Sequence, residues 1–233
     1  MATVKPVNIL SKQSWNTTKR MNFKTISVIG LGYIGLPTAA VFASRKLDVI
    51  GVDVNQKAVD TINGGQIHIV EPDLDAVVYK AVNDGYLKAV TKPEPADAFL
   101  VAVPTPFKGV NHEPDLKYIE AAAESIAPVL KRGDLVILES TSPVGATEKM
   151  AGWLAAARAD LSFPQTNGED SDIRVAHCPE RVLPGSVMRE LVENDRVIGG
   201  MTASCSRAAV DLYKLFVEHS PPDEGGHIYL QSG

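Results

Sequence analysis

Cysteine is scarce in this sequence: its 233 residues hold two, Cys178 and Cys205. So few thiols exclude a disulfide framework and a cysteine-built zinc site, so no metal is expected, and they suit a reducing cytoplasm. No apolar run is long enough to cross a bilayer, so a membrane span is not expected. Positive charge is not gathered into a long basic stripe and the net charge is −5, which argues against nucleic acid as a partner. The first twenty residues contain no acid, carry Lys5, Lys12, Lys19 and Arg20, and lack the apolar core of a secretory signal. They read as a disordered leader before a start at Met21, outside the fold. The remaining length allows one large or two small domains.

What is present is organised around the stretch Ile26 to Pro37, where a β-favouring run enters Gly30-x-Gly32-x-x-Gly35 and a helix-compatible segment, Thr38 to Ala43, follows. Gly30 permits a tight strand-to-helix turn, Gly32 lets the backbone approach a pyrophosphate, and Gly35 lets helix and strand pack closely. The unsatisfied amides at the start of that helix face the phosphates. Asp48 to Asp53 reads as the next strand and ends in an acid at the spacing expected for a ribose contact. A carboxylate there accepts from both ribose hydroxyls and repels a 2′-phosphate, which selects NAD over NADP.

The same alternation continues. Helices are expected at Asn55–Ile62, Leu74–Val82, Lys117–Leu130, Ala146 to about Arg158, and Ser204–Val217. Strands are expected at Ala98–Val103, Asp134–Leu138, Ile173–His177 and Arg196–Gly200, with a polar loop at Gln165–Ser171. Alternating β and α with apolar strands implies an α/β, doubly wound parallel sheet, a Rossmann-type domain over residues 21–217. Residues 218–233 read as a divergent, loosely structured tail. Ligands bind such sheets at the carboxyl ends of the strands, so Tyr33, Ile34, Asp53, Thr105, Thr141, Glu180 and Arg181 should converge on one edge. The threonines there could donate to phosphate or ribose oxygens, or simply cap turns. Glu180 and Arg181 suit proton transfer and recognition of an anion, or form a plain surface ion pair.

Taken together, GLGYIGLP, IHIVEPDL, AVPTPFKG, ESTSPVGATEKM, CPERVLPG and NDRVIGG resemble the UDP-glucose/GDP-mannose dehydrogenase family of nucleotide-sugar dehydrogenases, over about residues 21–217. The resemblance implies a two-step oxidation of a sugar C6 alcohol to a carboxylate, with two NAD reduced and a cysteine capturing the aldehyde, in surface polysaccharide biosynthesis. It implies NAD contacts at Tyr33, Ile34, Asp53, Thr105 and Thr147. Thr141 would help to hold an active-site water, and Glu180 would serve proton transfer and thioester hydrolysis. Arg181 and Val182 would touch the UDP-sugar substrate. Pro184 stands where UDP-glucose enzymes often carry a second glutamate, which favours the mannosamine branch.

The resemblance also implies parts beyond this chain: a long dimer-forming helix with a catalytic lysine and an asparagine, a domain with the nucleophilic cysteine, and a nucleotide-binding domain. It fades near Glu218, and the chain reads as truncated, its last strand missing unless His227–Gln231 supplies it. Cys178 ends a buried strand and Cys205 starts a helix, where a thiol pKa falls, but neither has a base or sugar pocket beside it, and both read as structural. Two functional readings follow, a UDP-sugar dehydrogenase or an NAD-binding module that performs no oxidation. Another Rossmann oxidoreductase would need neither CPERVLPG nor ESTSPVG.

Overall fold

The computed structural model describes residues 21–109 and 113–217, and the backbone of a strand at 228–230. The expected leader, 1–20, and the rest of the expected tail lie outside the described residues. The chain begins with β1 (Thr25–Ile29), α1 (Gly35–Ser44), β2 (Asp48–Val52), α2 (Gln56–Asn63), α3 (Leu74–Asn83), β3 (Leu87–Val90) and β4 (Ala98–Val101). A two-stranded hairpin follows, β5 (Phe107–Lys108) and β6 (Glu113–Pro114), then α4 (Lys117–Ile126), β7 (Leu135–Leu138), α5 (Ala146–Ala157) and α6 (Pro164–Asn167). The last elements are β8 (Arg174–His177), α7 (Val187–Glu193), β9 (Arg196–Gly200), α8 (Ala203–Tyr213) and β10 (Ile228–Leu230).

The main sheet has the order β10-β9-β8-β7-β4-β1-β2-β3. From β3 to β8 every pairing is parallel, which gives the doubly wound core expected from the alternating elements. Its central strands are apolar on both faces because both faces are covered. Leu135 and Ile137 point into one core with α1, α3 and α8, while Val136 and Leu138 point into the other with α4 and α5. One expectation is corrected at the edge: β9 pairs antiparallel to β8, through Ala176↔Gly200 and His177↔Gly199, so the sheet is mixed there. The chain leaves β8, passes through α7 and returns beside β8 as β9. β10 then pairs parallel to β9, so residues within His227–Gln231 do supply a last strand.

Local chemistry explains the element ends. Asn55 caps α2 by accepting from the Lys57 amide, and Thr202 caps α8 by accepting from Cys205 N, the usual N-cap arrangement. The helix expected to reach Leu130 ends at Ile126 and tightens into a 3₁₀ turn at Ala127–Val129, since Pro128 cannot donate to the helix ladder. α8 stops at Tyr213 rather than Val217. The polar loop at 165–171 contains two short helical turns. β3 and α7 were not expected. β3 is a four-residue edge strand with Lys88 exposed, too short and too polar to announce itself.

The register fixes where the site must lie. Ile29, Val101, Leu138 and His177 stand side by side across β1, β4, β7 and β8. One residue further on, Gly30, Ala102, Glu139 and Cys178 therefore form a row at the carboxyl edge. The strand order reverses direction between β1 and β4, and that is where an open α/β sheet has its ligand crevice.

Candidate functional site

At the reversal point, Gly30 has φ +92° and a Cβ there would lie 2.7 Å from the Ala102 carbonyl oxygen. Gly35 begins α1 with less room still: its Cβ would fall 1.7 Å from the Gly30 oxygen. Gly32 differs from both, because nothing lies within 4 Å of its missing side chain. The turn is thus closed on the protein side and open toward solvent at Gly32. α1 carries neither a capping side chain nor an acid in its first turn, so the positive end of the helix is left for an anion. Tyr33 is 51% exposed over this turn, and Ile34 occupies the N-cap position.

Asp53 follows β2 directly. Its Oδ2 accepts from Leu31 N at 3.0 Å and its Oδ1 from Asn55 N at 2.9 Å. The carboxylate is thereby locked beside the Gly-rich turn, with lone pairs left for hydroxyl donors. An open glycine turn, an uncapped helix start and a fixed carboxylate fit a dinucleotide with free ribose hydroxyls.

On the other side of the reversal, three strand-end segments are tied together. Thr105 donates from Oγ1 to the Thr141 carbonyl oxygen at 2.6 Å. Thr141 in turn donates from Oγ1 to Glu180 Oε2 at 2.8 Å. Residues after β4, β7 and β8 are thus joined in series at one edge. Thr147 lies in the first turn of α5, after Gly145 at φ +87°. Arg181 is exposed, its carbonyl held by Asn194 Nδ2 at 2.7 Å. Val182 is half-buried and packs against the core, so its side chain faces inward more than toward solvent.

Beneath Thr141 and Glu180 sits a cluster that sequence reasoning missed. Glu139 is fully buried and accepts from the Tyr213 hydroxyl at 3.0 Å. Arg196, 1% exposed, comes within 3.7 Å of the same Glu139 oxygen and donates to Leu191 O at 3.0 Å. Its guanidinium also lies over the rings of Tyr213 and Phe216 at 5.2 and 5.6 Å. Burial pushes the Glu139 carboxyl up to about 7, with Arg196 and Tyr213 pulling it back and the Glu180 charge adding to the rise. The available signal was an acid placed straight after an all-apolar strand, which needs a buried partner.

The thiols are packing groups. Burial raises Cys178 to about 11 despite Arg196 beside it. Cys205 is fully buried and its sulfur accepts from Val175 N at 3.4 Å and the Thr202 hydroxyl at 3.2 Å, so its place at a helix start gives no access. Among the described residues, no helix is long and apolar enough to cross a membrane.

The fold and the closed-and-open glycine turn define an NAD-binding Rossmann domain of a dehydrogenase. Residues 24–217 match the family model described as the NAD binding domain of the UDP-glucose/GDP-mannose dehydrogenase family. The chain belongs to that family, and NAD is its cofactor. It is 74% identical over 197 residues to an NDP-N-acetyl-D-galactosaminuronic acid dehydrogenase of Ralstonia nicotianae, covering 84% of this chain and 46% of that protein. It is 74% identical over 198 residues to the UDP-N-acetyl-D-mannosamine dehydrogenase of Yersinia pestis, covering 85% and 47%. Among solved structures, the UDP-N-acetyl-mannosamine dehydrogenase of Staphylococcus aureus superposes with a TM-score of 0.80 at 38% identity, covering 90% of this chain and 48% of that one. The chain spans about half the length of the relatives it matches.

Proposed function

We propose that this chain is the cofactor-binding part of an NAD-dependent nucleotide-sugar 6-dehydrogenase whose substrate is UDP-N-acetyl-D-mannosamine, oxidised at C6 to the uronate with two NAD per turnover. The observation that carries this reading is the Thr105–Thr141–Glu180 series, which ties a carboxylate after β8 to the end of β4, the strand next to β1. Bound NAD supplies a hydride acceptor. The Gly30–Gly35 turn and Asp53 hold the cofactor's pyrophosphate and ribose, while Tyr33, Ile34, Thr105 and Thr147 line its path. Thr141 orients Glu180 through one carboxylate oxygen, which leaves the other to hold a proton or orient a water. Exposed Arg181 suits the anionic diphosphate of a sugar nucleotide. Both relatives that share 74% identity are named for N-acetylated amino-sugar substrates or products, and Pro184 adds to the mannosamine choice. Homodimerisation and a cytoplasmic setting go with this reading.

A binding module without oxidation is the second reading, and the thiols favour it for these residues alone. The sequence holds two cysteines and both are fully buried, so neither can capture an aldehyde. We therefore expect the purified chain to bind NAD without forming NADH from UDP-N-acetyl-D-mannosamine. Asp53→Ala should weaken NAD binding by roughly 10- to 100-fold, the loss expected for hydrogen bonds to a charged group. Titration calorimetry beside an absorbance assay at the NADH band checks both. Turnover that survives Cys178→Ala and Cys205→Ala would sink the account of the thiols, and unchanged affinity in Asp53→Ala would sink the ribose contact.

A further inference from the structure

The IHIVEPDL stretch has no part in the site described so far, yet its glutamate makes the longest-range polar contact to the Arg181–Val187 loop. Glu71 is 4% exposed. Its Oε2 accepts from Gly185 N at 2.8 Å and its Oε1 from Val187 N at 2.7 Å. Those donors lie 114 and 116 residues further along the chain. One buried carboxylate thus clamps two amides of the loop that follows Pro179-Glu180, with the strength of charge-assisted hydrogen bonds. We infer that Glu71 is a positioning residue, whose carboxylate sets the Arg181–Val187 loop against the substrate end of the sheet edge. The inference rests on the reading above, in which this loop contacts the sugar nucleotide.

Three further observations support the assignment. The loop's other side-chain ties, Leu183 N to Glu190 Oε2 at 2.8 Å and Arg181 O to Asn194 Nδ2 at 2.7 Å, come from α7 and the residue that ends it. They stiffen the loop as a unit, which packs on α1 through α7 but gains no polar tie to the cofactor half from these two bonds. Glu71 comes from the segment between α2 and α3, and so bridges the two halves. Gly185 has φ +91°, a left-handed turn that a side chain would strain, and it presents its amide to Glu71. Beyond Glu71 the chain turns into the core. Asp73 sits at φ +63°, a strained conformation for a residue with a Cβ, and Leu74 beyond it is fully buried. α3 packs on α1, the helix that starts at the cofactor turn. Glu71 therefore adds a polar link from the start of α3 to the substrate loop, beside the direct packing of α7 on α1.

Val187 begins α7, so a bland role as a cap for that short helix has to be separated from positioning. Hydrogen exchange read by mass spectrometry on the whole chain with saturating NAD does this. Glu71→Gln keeps the size but turns one acceptor into a donor that faces an N–H. Amides in peptides over 181–186, ahead of α7, should exchange about tenfold faster, with Glu71→Ala going further. Faster exchange confined to 188–193 would mark the cap role and overturn the inference. Peptides over 26–35 should be unchanged, and NAD affinity should stay within about twofold. Unchanged exchange at 181–186 in both variants would overturn the inference. So would uniformly faster exchange with loss of NAD binding in Glu71→Gln, which marks a general structural role. A second arm adds UDP-N-acetyl-D-mannosamine, which should protect 181–186 in the native chain and protect it less in Glu71→Gln. Protection equal in both would also overturn the inference. Absence of protection in the native chain would count against the substrate reading, while the first arm would still decide the role of Glu71.

Discussion

Gly35→Ala is expected to lower the melting temperature by roughly 6–12 °C and to abolish measurable NAD binding. The missing Cβ would stand 1.7 Å from the Gly30 carbonyl oxygen, 2.9 Å from its carbon and 3.3 Å from Ala102 Cβ. Backbone atoms of the same tight turn cannot swing aside, as the end of a flexible side chain could. The Gly30 amide is itself bonded to Val52 O at 2.8 Å, so relief by moving the turn would break the β1–β2 junction. Overpacking at so rigid a place costs about 3 kcal/mol or more, and a domain of this size loses about 2–4 °C per kcal/mol. Gly32→Ala is the matched control. It has open space around the missing methyl, so its melting temperature should stay within about 2 °C. The methyl would nevertheless project where the pyrophosphate must approach, and NAD affinity should fall about tenfold or more. Thermal melts and NAD calorimetry on both variants check the pair. A Gly35→Ala chain with native melting would mean that α1 and β1 do not approach as closely as the structure shows. A Gly32→Ala chain with native affinity would move the pyrophosphate off the turn.

That contrast also shows where the sequence was readable. The three glycines could be assigned separate tasks because strand, turn and helix chemistry act over a dozen residues and leave a local pattern. The same holds for β4 and β7, whose unbroken apolar runs reveal strands covered on both faces. The direction of β9 left no such trace. Arg196–Gly200 reads as a strand either way, and α7, the helix before it, has seven residues, too short to show a strong period. At the site, proximity to the sheet edge could be reasoned from strand ends, and the structure brings Thr105, Thr141 and Glu180 together there. Their bonding in series could not be read, nor could the clamp of Glu71 on Gly185 and Val187 or the pairing of Glu139 with Tyr213, 74 residues apart. Partners so distant share no spacing rule. What the sequence did offer was a misfit at Glu139, an acid straight after the apolar Leu135–Leu138 run, and such a charge is retained only when paired.

Breaking that pair should have the second large effect. Arg196→Met removes the cation within 3.7 Å of a fully buried carboxylate and is expected to cost up to about 3–5 kcal/mol of stability at high pH, where the carboxyl must ionise uncompensated, and less where it keeps its proton. Glu139→Gln alone leaves Arg196 as the orphan and should cost a comparable amount near pH 8. The double variant should cost clearly less than the sum, because neither charge then remains unpaired. The pH dependence gives an independent reading. Burial raises the Glu139 carboxyl from an ordinary 4.5 to about 7, so between those values the folded chain keeps a proton that the unfolded chain has released. Stability from this group therefore falls as pH rises from about 4.5 to 7, by at most about 1.4 kcal/mol per unit, and levels off above 7. Glu139→Gln should flatten that slope. Arg196→Met, which removes the main pull toward the ionised form, should carry the slope to higher pH. Denaturant titrations of the native chain and the three variants from pH 4.5 to 8.5 test this. Additive single-variant costs would mean that Arg196 and Glu139 do not compensate each other. A slope unchanged in Glu139→Gln would assign the proton to another group. Because the Glu180 charge is felt at Glu139 and Thr141 joins Glu180 two residues further on, the same titration should also move the candidate site. NAD affinity measured across it would show whether the buried pair acts on the cofactor turn or only on the substrate side.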